Sequence, residues 1–457
     1  MDNKTIACIS TPLGTGAICI IRISGSKCLE IAKKVFFCKT QDLQPRYLYL
    51  GDFIYKDVKD KCLMVHFKAP LSYTGEDMVE FQCHGGEFLA EKILQALLDC
   101  GAILAENGEF SKRAFLNGKL TLDKAEGIID VINATSEAEL KAGYRMLKGD
   151  LKNEVGKFQK ILTDCLAELE VTLDYPEHDD EKITLNSAKK ILSSLYQQIT
   201  NLLQTSNTGK IIKNGLNIAI IGKPNVGKSS LLNALIGENR AIVTNIAGTT
   251  RDTITETISF NGMKFNFIDT AGIRESEDIV EKIGIERSKQ SINESDIVLV
   301  VLDSSTDLQE EDKILLDLTK NEKRIILINK TDLNQKENYN FINNLQNNKY
   351  LKTNENILEI SALKKQNIEK IKEVIFNKII DNKMDASALI LTNIRQTNNL
   401  KIAQQTLNEA IEATTSKTVD IVAFLVRRVW EELGKITGET EIESVIDEIF
   451  SKFCLGK

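Results

Sequence analysis

The stretch Asn217-Ile-Ala-Ile-Ile-Gly222-Lys-Pro-Asn225-Val-Gly227-Lys228-Ser229-Ser230 decides how the middle of the chain folds. It places the spacing G-x-x-x-x-G-K-S between an apolar run and a helix-like apolar pattern. Gly222 and Gly227 allow backbone N–H groups to curl around phosphate oxygens, which a Cβ would obstruct. Lys228 can reach the β- and γ-phosphates, and the Ser229 hydroxyl is the expected Mg²⁺ ligand. The stretch therefore predicts a strand, a phosphate-binding loop, and a helix whose positive end faces the anion.

Three further segments follow in the order typical of guanine-nucleotide domains, each after an apolar, strand-like run. Asp269-Thr270-Ala271-Gly272 offers a carboxylate for the metal shell and a glycine N–H for the γ-phosphate. In Asn329-Lys330-Thr331-Asp332, the carboxylate can accept the N1–H and the exocyclic amine of guanine, a pair that adenine does not offer. Ser361-Ala362-Leu363 offers a backbone N–H to the guanine oxygen. The four segments together predict a P-loop domain that binds and hydrolyses GTP.

The position after the second segment is Ile273, where many small GTPases have a glutamine that orients the attacking water. Arg251 and Arg274 lie nearby in sequence, although surface pairing is the favoured role for both. Lys228 is predicted to act in catalysis as well as in binding. The motifs predict these GTP contacts: Asn225, Val226, Gly227, Lys228, Ser229, Ser230, Asp269, Thr270, Ala271, Gly272, Asn329, Lys330, Asp332, Ser361, Ala362 and Leu363.

Composition limits the class of protein. The chain has 457 residues, a net charge of −7, nine cysteines and three histidines. No C-x-x-C pair or histidine cluster is present, which argues against a zinc site or a disulfide framework and favours a reducing compartment. The longest apolar runs are too short to span a membrane, and no signal-peptide pattern begins the chain. We expect a cytoplasmic protein with no membrane partner.

The pattern of apolar residues predicts a multidomain α/β protein. Residues 1–118 alternate short apolar runs with glycine-bearing turns, which is typical of a small α+β domain. Helical spacing fills 119–215 and returns in 381–457, on either side of the nucleotide domain at 216–380. The economical interpretation is one helical domain into which the GTPase domain is inserted.

Long motifs across the whole chain resemble the family of bacterial tRNA-uridine-modifying GTPases called MnmE or TrmE. They occur in the N-terminal, nucleotide and C-terminal zones, and no departure from the family pattern questions the assignment, since Leu455 is a conservative variant of an aliphatic position. The motifs are Thr11-Pro12-Leu-Gly14-Thr-Gly16-Ala17, Arg22-Ile23-Ser24-Gly25, Tyr73-Thr74-Gly75-Glu76-Asp77, His84-Gly85-Gly86, Gly108-Glu109-Phe110-Ser-Lys-Arg113-Ala114-Phe115-Leu116-Asn117-Gly-Lys119, Ala241-Ile-Val-Thr244-Asn-Ile246-Ala-Gly248-Thr249-Thr250-Arg251-Asp252, and Cys454-Leu455-Gly456-Lys457.

The resemblance implies a folate site and several partners. Such proteins bind a one-carbon tetrahydrofolate, for example 5-formyltetrahydrofolate, in an N-terminal domain that also forms the homodimer. Matched by motif, the folate contacts are Arg22, Glu80, Lys119 and Lys457. The family acts on C5 of the wobble uridine of certain tRNAs, adding an aminomethyl or carboxymethylaminomethyl group. It does so with a flavin-dependent partner of the MnmG or GidA type in a heterotetramer, and FAD belongs to that partner.

The resemblance also assigns the segment after the P-loop helix, the metal ions and a catalytic residue. It adds Thr244, Asn245, Ile246, Ala247, Gly248, Thr249 and Thr250 to the GTP contacts. Ser229 and Thr250 are expected to bind magnesium, while Asn225, Thr244, Ile246 and Thr249 are expected to bind potassium as two nucleotide domains pair. Glu281 is expected to orient the attacking water through a second water. The plain alternatives are that Asn225 only caps its loop and that Glu281 is a solvated helix charge.

Two residues and one alternative function stay open. Cys454 could be a thiolate nucleophile towards C6 of uracil, or part of the folate-site architecture. His84 is interpreted as a structural or pocket histidine, not a base. The alternative function is a binding switch, such as a ribosome-assembly GTPase. That class would normally add a basic RNA-binding fold, which the sequence does not show.

Overall fold

The structure is a computed structural model that describes residues 4–40, 42–175, 181–237, 256–268, 289–333, 341, 351, 355–379, 389–454 and 456. The chain divides into two compact units. The first comprises Met1–Ile132, Gly143–Thr200 and Asn398–Lys457, and the second comprises Asn133–Ala142 and Asn201–Thr397. In the described part of the chain, no helix is long and apolar enough to cross a membrane.

The first unit begins with a seven-stranded sheet and the helices that join its strands. These elements are β1 (Ile6–Ile9), β2 (Ile18–Ser24), α1 (Cys28–Val35), β3 (Phe36–Cys38), β4 (Leu48–Tyr55), β5 (Val58–Phe67), β6 (Met78–His84), α2 (Glu87–Asp99), β7 (Ile103–Leu104) and α3 (Glu109–Leu116). The strand order is β3-β4-β5-β6-β2-β1-β7. Buried and more exposed residues alternate along the strands, so the buried side chains lie on one face of the sheet. They form a core with residues of α1 and α2.

Strand register on this sheet brings together side chains that are far apart in sequence. Strands β2 and β6 pair antiparallel, and Arg22 lies directly opposite Glu80. Directly opposed residues of an antiparallel pair project to the same face with their Cβ atoms close together. Arg22 and Glu80, two of the predicted folate contacts, are therefore immediate neighbours on one face of the sheet.

Helices then continue the chain towards its second sheet. They are α4 (Leu122–Asn133), α5 (Glu137–Lys148), α6 (Asp150–Asp174) and α7 (Glu181–Asn214). Helix α6 buries a regular stripe that includes Val155, Leu162, Cys165 and Leu169, of which helical spacing in the sequence predicts Cys165 and Leu169.

The second unit is built on a six-stranded sheet. Its elements are β8 (Leu216–Ile221), α8 (Lys228–Ile236), β9 (Glu256–Phe260), β10 (Met263–Ile268), β11 (Ile297–Asp303), α9 (Glu310–Leu318), β12 (Arg324–Asn329), β13 (Ile357–Glu359) and α10 (Ile368–Ile379). The strand order is β13-β12-β11-β8-β10-β9, and all neighbours are parallel except β9 and β10. Every residue of β11 is buried, as expected for a central strand covered on both faces.

Helices return after the second sheet. They are α11 (Ile394–Ser416), α12 (Val419–Thr437) and α13 (Glu443–Ser451). Helix α12 packs lengthwise on α6, where Gln159 donates to the Trp430 carbonyl at 3.5 Å and Arg427 pairs with Glu170 at 2.9 Å. Helical segments from before and after the nucleotide domain therefore share one packed region.

The structure confirms the coarse prediction of a mixed α/β protein. It contains both sheets and helices, a P-loop at the end of a central strand, and a helical region. Two local expectations differ from the structure. Apolar spacing predicts a helix over about 186–203, and in the structure this helix extends over Glu181–Asn214. The helical spacing of Ile421, Leu425 and Val429 predicts one buried stripe that contains all three. In the structure Ile421 is 39% exposed, and the buried face instead includes Val422 and Val426.

Candidate functional site

The P-loop of the second unit connects the carboxyl end of β8 to the first residue of α8, as the motif predicts. Asn225 and Gly227 adopt positive φ angles of 61° and 97°. A Cβ on Gly222 would lie 2.6 Å from the Val301 carbonyl, so only glycine fits beside β11. The loop is therefore a tight backbone turn at a helix N-terminus, an arrangement suited to phosphate oxygens.

Lys228, the first residue of α8, reaches back across this loop. Its ammonium donates to the carbonyls of Gly222 at 2.7 Å and Lys223 at 2.8 Å. Burial lowers the pKa of Lys228 to about 8 because the charged form loses hydration. An anionic ligand beside the ammonium would stabilise that charged form, so the site favours a polyphosphate electrostatically.

Lys223 fixes the P-loop from the other side, a contact that the motif did not predict. Its ammonium pairs with Asp312 at 3.0 Å and with the Gln309 side chain at 3.1 Å. Asp312 is buried and also accepts from the Gln309 backbone N–H in a capping box of α9. A buried ion pair that includes a helix cap holds the loop firmly against α9.

Asn329 ties the P-loop to the predicted guanine loops. Its side-chain nitrogen donates to the Val226 carbonyl at 2.8 Å, and its oxygen accepts from the Ala362 N–H at 3.0 Å. A Cβ on Gly227 would collide with the same side chain. Asn329 is buried, so replacing it would leave two buried backbone groups without partners. Three of the four nucleotide motifs therefore meet at one amide.

Asp332 lies beside the Ser361 loop, as the sequence predicts. Its Oδ1 accepts from the Ser361 hydroxyl at 2.7 Å. Leu363 is 81% exposed and open to a ligand or solvent. Lys330 has a positive φ of 65° and pairs with Asp303 at 2.6 Å. The loops expected to hold guanine are therefore adjacent, and each is held by side-chain contacts.

Asp303 at the end of β11 is a neighbour that sequence motifs did not identify. Burial alone would raise the pKa of Asp303, but hydrogen bonds from Lys330 and Ser305 bring it below its ordinary value. The ionised carboxylate therefore holds the ammonium of Lys330 in place. No motif predicted this pair because Asp303 ends a strand that has no named nucleotide motif.

The first unit contains a cavity of about 540 Å³ that joins three of the four predicted folate residues: Arg22, Glu80 and Lys119. Its apolar wall includes Phe67, Leu71, Tyr73 and Met78. Apolar rings and aliphatic chains with a few convergent polar groups are typical of small-molecule sites.

Arg22 is the central polar group of this cavity. Its guanidinium bonds Glu80 at 2.7–2.8 Å and donates to the Gly456 carbonyl at 3.4 Å. It also lies 5.4 Å from the Tyr73 ring centroid and 5.6 Å from that of Phe110. Arg22 and Gly456, which are 434 positions apart in sequence, therefore meet at this cavity.

The remaining predicted residues fall into two groups. Cys454 is exposed. The side chain of His84 is 71% exposed and pairs with Asp60 at 2.6 Å. Thr244, Asn245, Ile246, Ala247, Gly248, Thr249, Thr250, Arg251, Asp269, Thr270, Ala271, Gly272, Ile273, Arg274, Glu281 and Lys457 lie outside the residues that the structure describes.

Comparison with known proteins gives matches over most of the chain. The family model described as "MnmE helical domain" matches residues 122–454, and that described as "GTP-binding protein TrmE N-terminus" matches residues 5–119. The tRNA modification GTPase MnmE of Lactobacillus gasseri is 43% identical over 463 residues, covering 99% of this chain and 98% of the relative. The protein of that name from Clostridioides difficile is 41% identical over 464 residues, covering 100% and 99%.

A solved structure of Era in complex with MgGDPNP and 16S ribosomal RNA is 29% identical over its match. The match covers 42% of this chain and 66% of that one, with a TM-score of 0.29. A score this low supports no conclusion about the fold.

Proposed function

The chain belongs to the MnmE family of tRNA modification GTPases, and on that premise we propose the reaction in which it takes part. Together with a flavin-dependent partner, it installs an aminomethyl or carboxymethylaminomethyl group at C5 of the wobble uridine of certain tRNAs. The one-carbon unit comes from a tetrahydrofolate such as 5-formyltetrahydrofolate, and FAD belongs to the partner. GTP hydrolysis by this chain drives the cycle in the cytoplasm.

The observation that supports the folate half is the position of Arg22 between Glu80 and the Gly456 carbonyl, on the wall of one cavity. Glu80 can accept hydrogen bonds from the donor edge of a pterin. Lys119 supplies a cation for a folate carboxylate, and we assign the same role to Lys457. The apolar wall formed by Tyr73 and its neighbours suits the flat rings of the same ligand.

The nucleotide half rests on side chains that bind and orient GTP. Lys228 is proposed to turn from the loop carbonyls to the phosphates, and Asp332 to accept two hydrogen bonds from guanine. Glu281 is proposed to orient the attacking water, a role that Ile273 cannot take. The other residues of the four nucleotide motifs are proposed to contact the phosphates and the base.

Two metal ions belong to this proposal. Ser229, in the first turn of α8, and Thr250 would hold magnesium. Asn225, exposed on the P-loop, would hold potassium with Thr244, Ile246 and Thr249. When bound, the two cations offset negative charge that develops on the phosphates. Asn225 fits that task because its positive φ places an amide-bearing residue within the loop itself.

The proposed assembly is a homodimer formed through the N-terminal domain, joined to the MnmG-like partner in a heterotetramer, with tRNA as the shared substrate. We also infer that the GTPase domain is inserted into one helical domain. The packing of α6, which precedes the GTPase domain, on α12, which follows it, supports that inference. Cys454 near the chain end stays a candidate nucleophile within this scheme.

The reaction is tested by reconstitution with tRNA from cells that lack this chain. Purified chain, flavin partner, GTP, folate and a nitrogen donor are incubated, and tRNA nucleosides are measured by mass spectrometry. We expect the modified uridine only when GTP and the tetrahydrofolate are both present. Product formed without folate would refute the donor assignment, and no product under any condition would favour a binding switch such as a ribosome-assembly GTPase.

The potassium assignment has its own test, which is GTP turnover at matched ionic strength in potassium and in sodium salts. We expect potassium to accelerate the parent strongly and Asn225→Ala to lose that response. Glu281→Ala should respond to potassium by pairing its nucleotide domains yet hydrolyse slowly. Equal rates in both salts would refute the cation site, and a normal rate in Glu281→Ala would refute its assigned role.

A further inference from the structure

The cavity of the first unit is lined by three cationic side chains, and they differ in whether a carboxylate pairs with them. Arg22 is paired with Glu80 at 2.7 Å. Arg46 and Lys119, which line the same cavity, have no ion-pair partner among the residues that the structure describes. Within the cavity, Glu80 therefore balances the charge of Arg22. The exposed side chains of Arg46 and Lys119 are available to pair with a ligand carboxylate.

The backbone of Arg46 is held in an unusual conformation. Its φ is 64°, a left-handed value that glycine and asparagine adopt far more readily than arginine. Its backbone N–H donates to the His66 carbonyl at 2.7 Å, which fixes the turn on strand β5. An arginine at such a position is retained at a conformational cost, which points to a task for its side chain.

The side chain of Arg46 is also held in position. One terminal nitrogen donates to the Leu71 carbonyl at 3.0 Å, and Leu71 itself lines the cavity. A guanidinium has five N–H donors, so this single bond leaves most of its fork available to a ligand. A planar fork anchored in this way can bind a carboxylate with two parallel hydrogen bonds.

We propose that Arg46 is a specificity-determining residue that binds a carboxylate of the ligand's glutamate tail. This inference rests on the proposed folate site and deepens it. The charge distribution gives the ligand a direction: the pterin donor edge lies towards Glu80, and the acidic tail lies towards Arg46 and Lys119. The site thereby selects folates with a glutamate tail over pteroates that lack it.

The test is calorimetric titration of the full chain with two probes, 5-formyltetrahydrofolate and its analogue 5-formyltetrahydropteroate, which lacks the glutamate. Hydrogen bonds to charged groups predict that Arg46→Ala weakens folate binding by about tenfold to a hundredfold. Pteroate affinity should stay within about twofold of the parent, because the lost carboxylate contact is absent from that ligand. Arg46→Lys should fall between parent and alanine variant for folate, since it keeps the charge but loses the fork.

The matched control is Arg427→Ala, an exposed arginine on α12 that pairs with Glu170. It should leave both affinities unchanged, and GTP affinity should be unchanged in every variant. Equal loss of folate and pteroate affinity in Arg46→Ala would overturn the tail assignment, as would no loss of either. A parent that binds neither probe would refute the folate site itself, which is a separate failure from loss of discrimination.

Discussion

We propose that Asp332 is the residue at which base specificity is decided in the nucleotide site. Its carboxylate accepts from Ser361 at 2.7 Å, and an asparagine oxygen could accept the same bond, so Asp332→Asn should preserve the loop. The asparagine can no longer accept from both guanine donors, and we expect GTP affinity to fall about a hundredfold or more. Affinity for xanthosine triphosphate should rise, as measured by calorimetry. Asp317→Asn, at an exposed position of α9, serves as control, and unchanged GTP affinity in Asp332→Asn would disprove the assignment.

His66 is a buried residue whose charge state should affect the N-terminal sheet. It is 5% exposed, and burial lowers its pKa although Asp77 opposes that effect. The unfolded chain therefore takes up a proton near pH 6.5, whereas the folded chain takes it up only at lower pH. Stability is accordingly highest above pH 6.5 and falls as the solution is acidified from there to the folded-state pKa of His66.

The measurement is hydrogen exchange of amides in strands β5 and β6 between pH 7 and pH 5, corrected for intrinsic rates. We expect the opening free energy of the parent to fall with acidification, by at most about 1.4 kcal/mol for each step of one in pH. His66→Phe should remove that dependence, because it removes the buried group that titrates. A pH dependence that survives in His66→Phe would contradict the explanation.

Sequence motifs predicted the nucleotide contacts but not the side chains that hold those residues in place. Asn329, Asp332 and Ser361 occur in recognisable motifs, and the described structure brings them together. Lys223 and Asp303 were missed in their roles because their partners lie on other elements, and only the parallel sheet brings those elements together. Arg46 was missed for the same reason, since its partners are a neighbouring strand and a loop.

Helix α7 shows why element boundaries were harder to predict than element types. The part of the chain at 205–209 looks like a helix end, because glycine and small polar residues have low helix propensity. In the structure the helix continues, because the segment that contains Leu391 packs against Thr205 and Gly209. The Leu391 N–H donates to the Thr205 hydroxyl at 3.2 Å, and its carbonyl occupies the space beside Gly209.

Gly209→Ala tests whether the close approach of the Leu391 carbonyl requires glycine at this position of α7. A Cβ at Gly209 would collide with the Leu391 carbonyl, so we expect a destabilisation of about 1–3 kcal/mol in spite of the better helix propensity of alanine. Gly156→Ala on α6 is the matched control. Its Cβ meets open space, and it should stabilise by about 0.5–1 kcal/mol. Differential scanning calorimetry measures both, and a stabilised Gly209→Ala would contradict the packing explanation.

Strand prediction succeeded where apolar runs were short and bounded by turns, as for β8, β10 and β12. Helix phase was harder to predict. On α12, Ile421 was expected inside and is exposed, whereas Val422 and Val426 are buried. Apolar residues occur on several sides of this helix, so spacing alone does not choose which side packs. The choice is made by α6, which α12 contacts along its length.

For the whole molecule, family resemblance alone suggested that Arg22 and Lys457 contact one ligand, and the structure shows Arg22 donating to the carbonyl of the neighbouring Gly456. A separation of 434 positions gives no local signal. In the structure Gly456 has a φ of 90°, and a Cβ there would lie 2.5 Å from the Ile9 carbonyl. Gly456 is therefore fitted closely against β1, beside the cavity that Arg22 lines.

We propose above all that one chain couples a GTP site to a folate cavity in order to modify the wobble uridine of tRNA. The most direct test is mass-spectrometric nucleoside analysis of tRNA from cells lacking the chain, complemented with the parent, Lys228→Ala or Arg22→Ala. Retained GTP affinity in Arg22→Ala and retained folate affinity in Lys228→Ala show that each variant is folded. We predict that the parent restores the C5-modified uridine and that neither variant does. Full restoration by either variant, or modified uridine in cells without the chain, would contradict the claim.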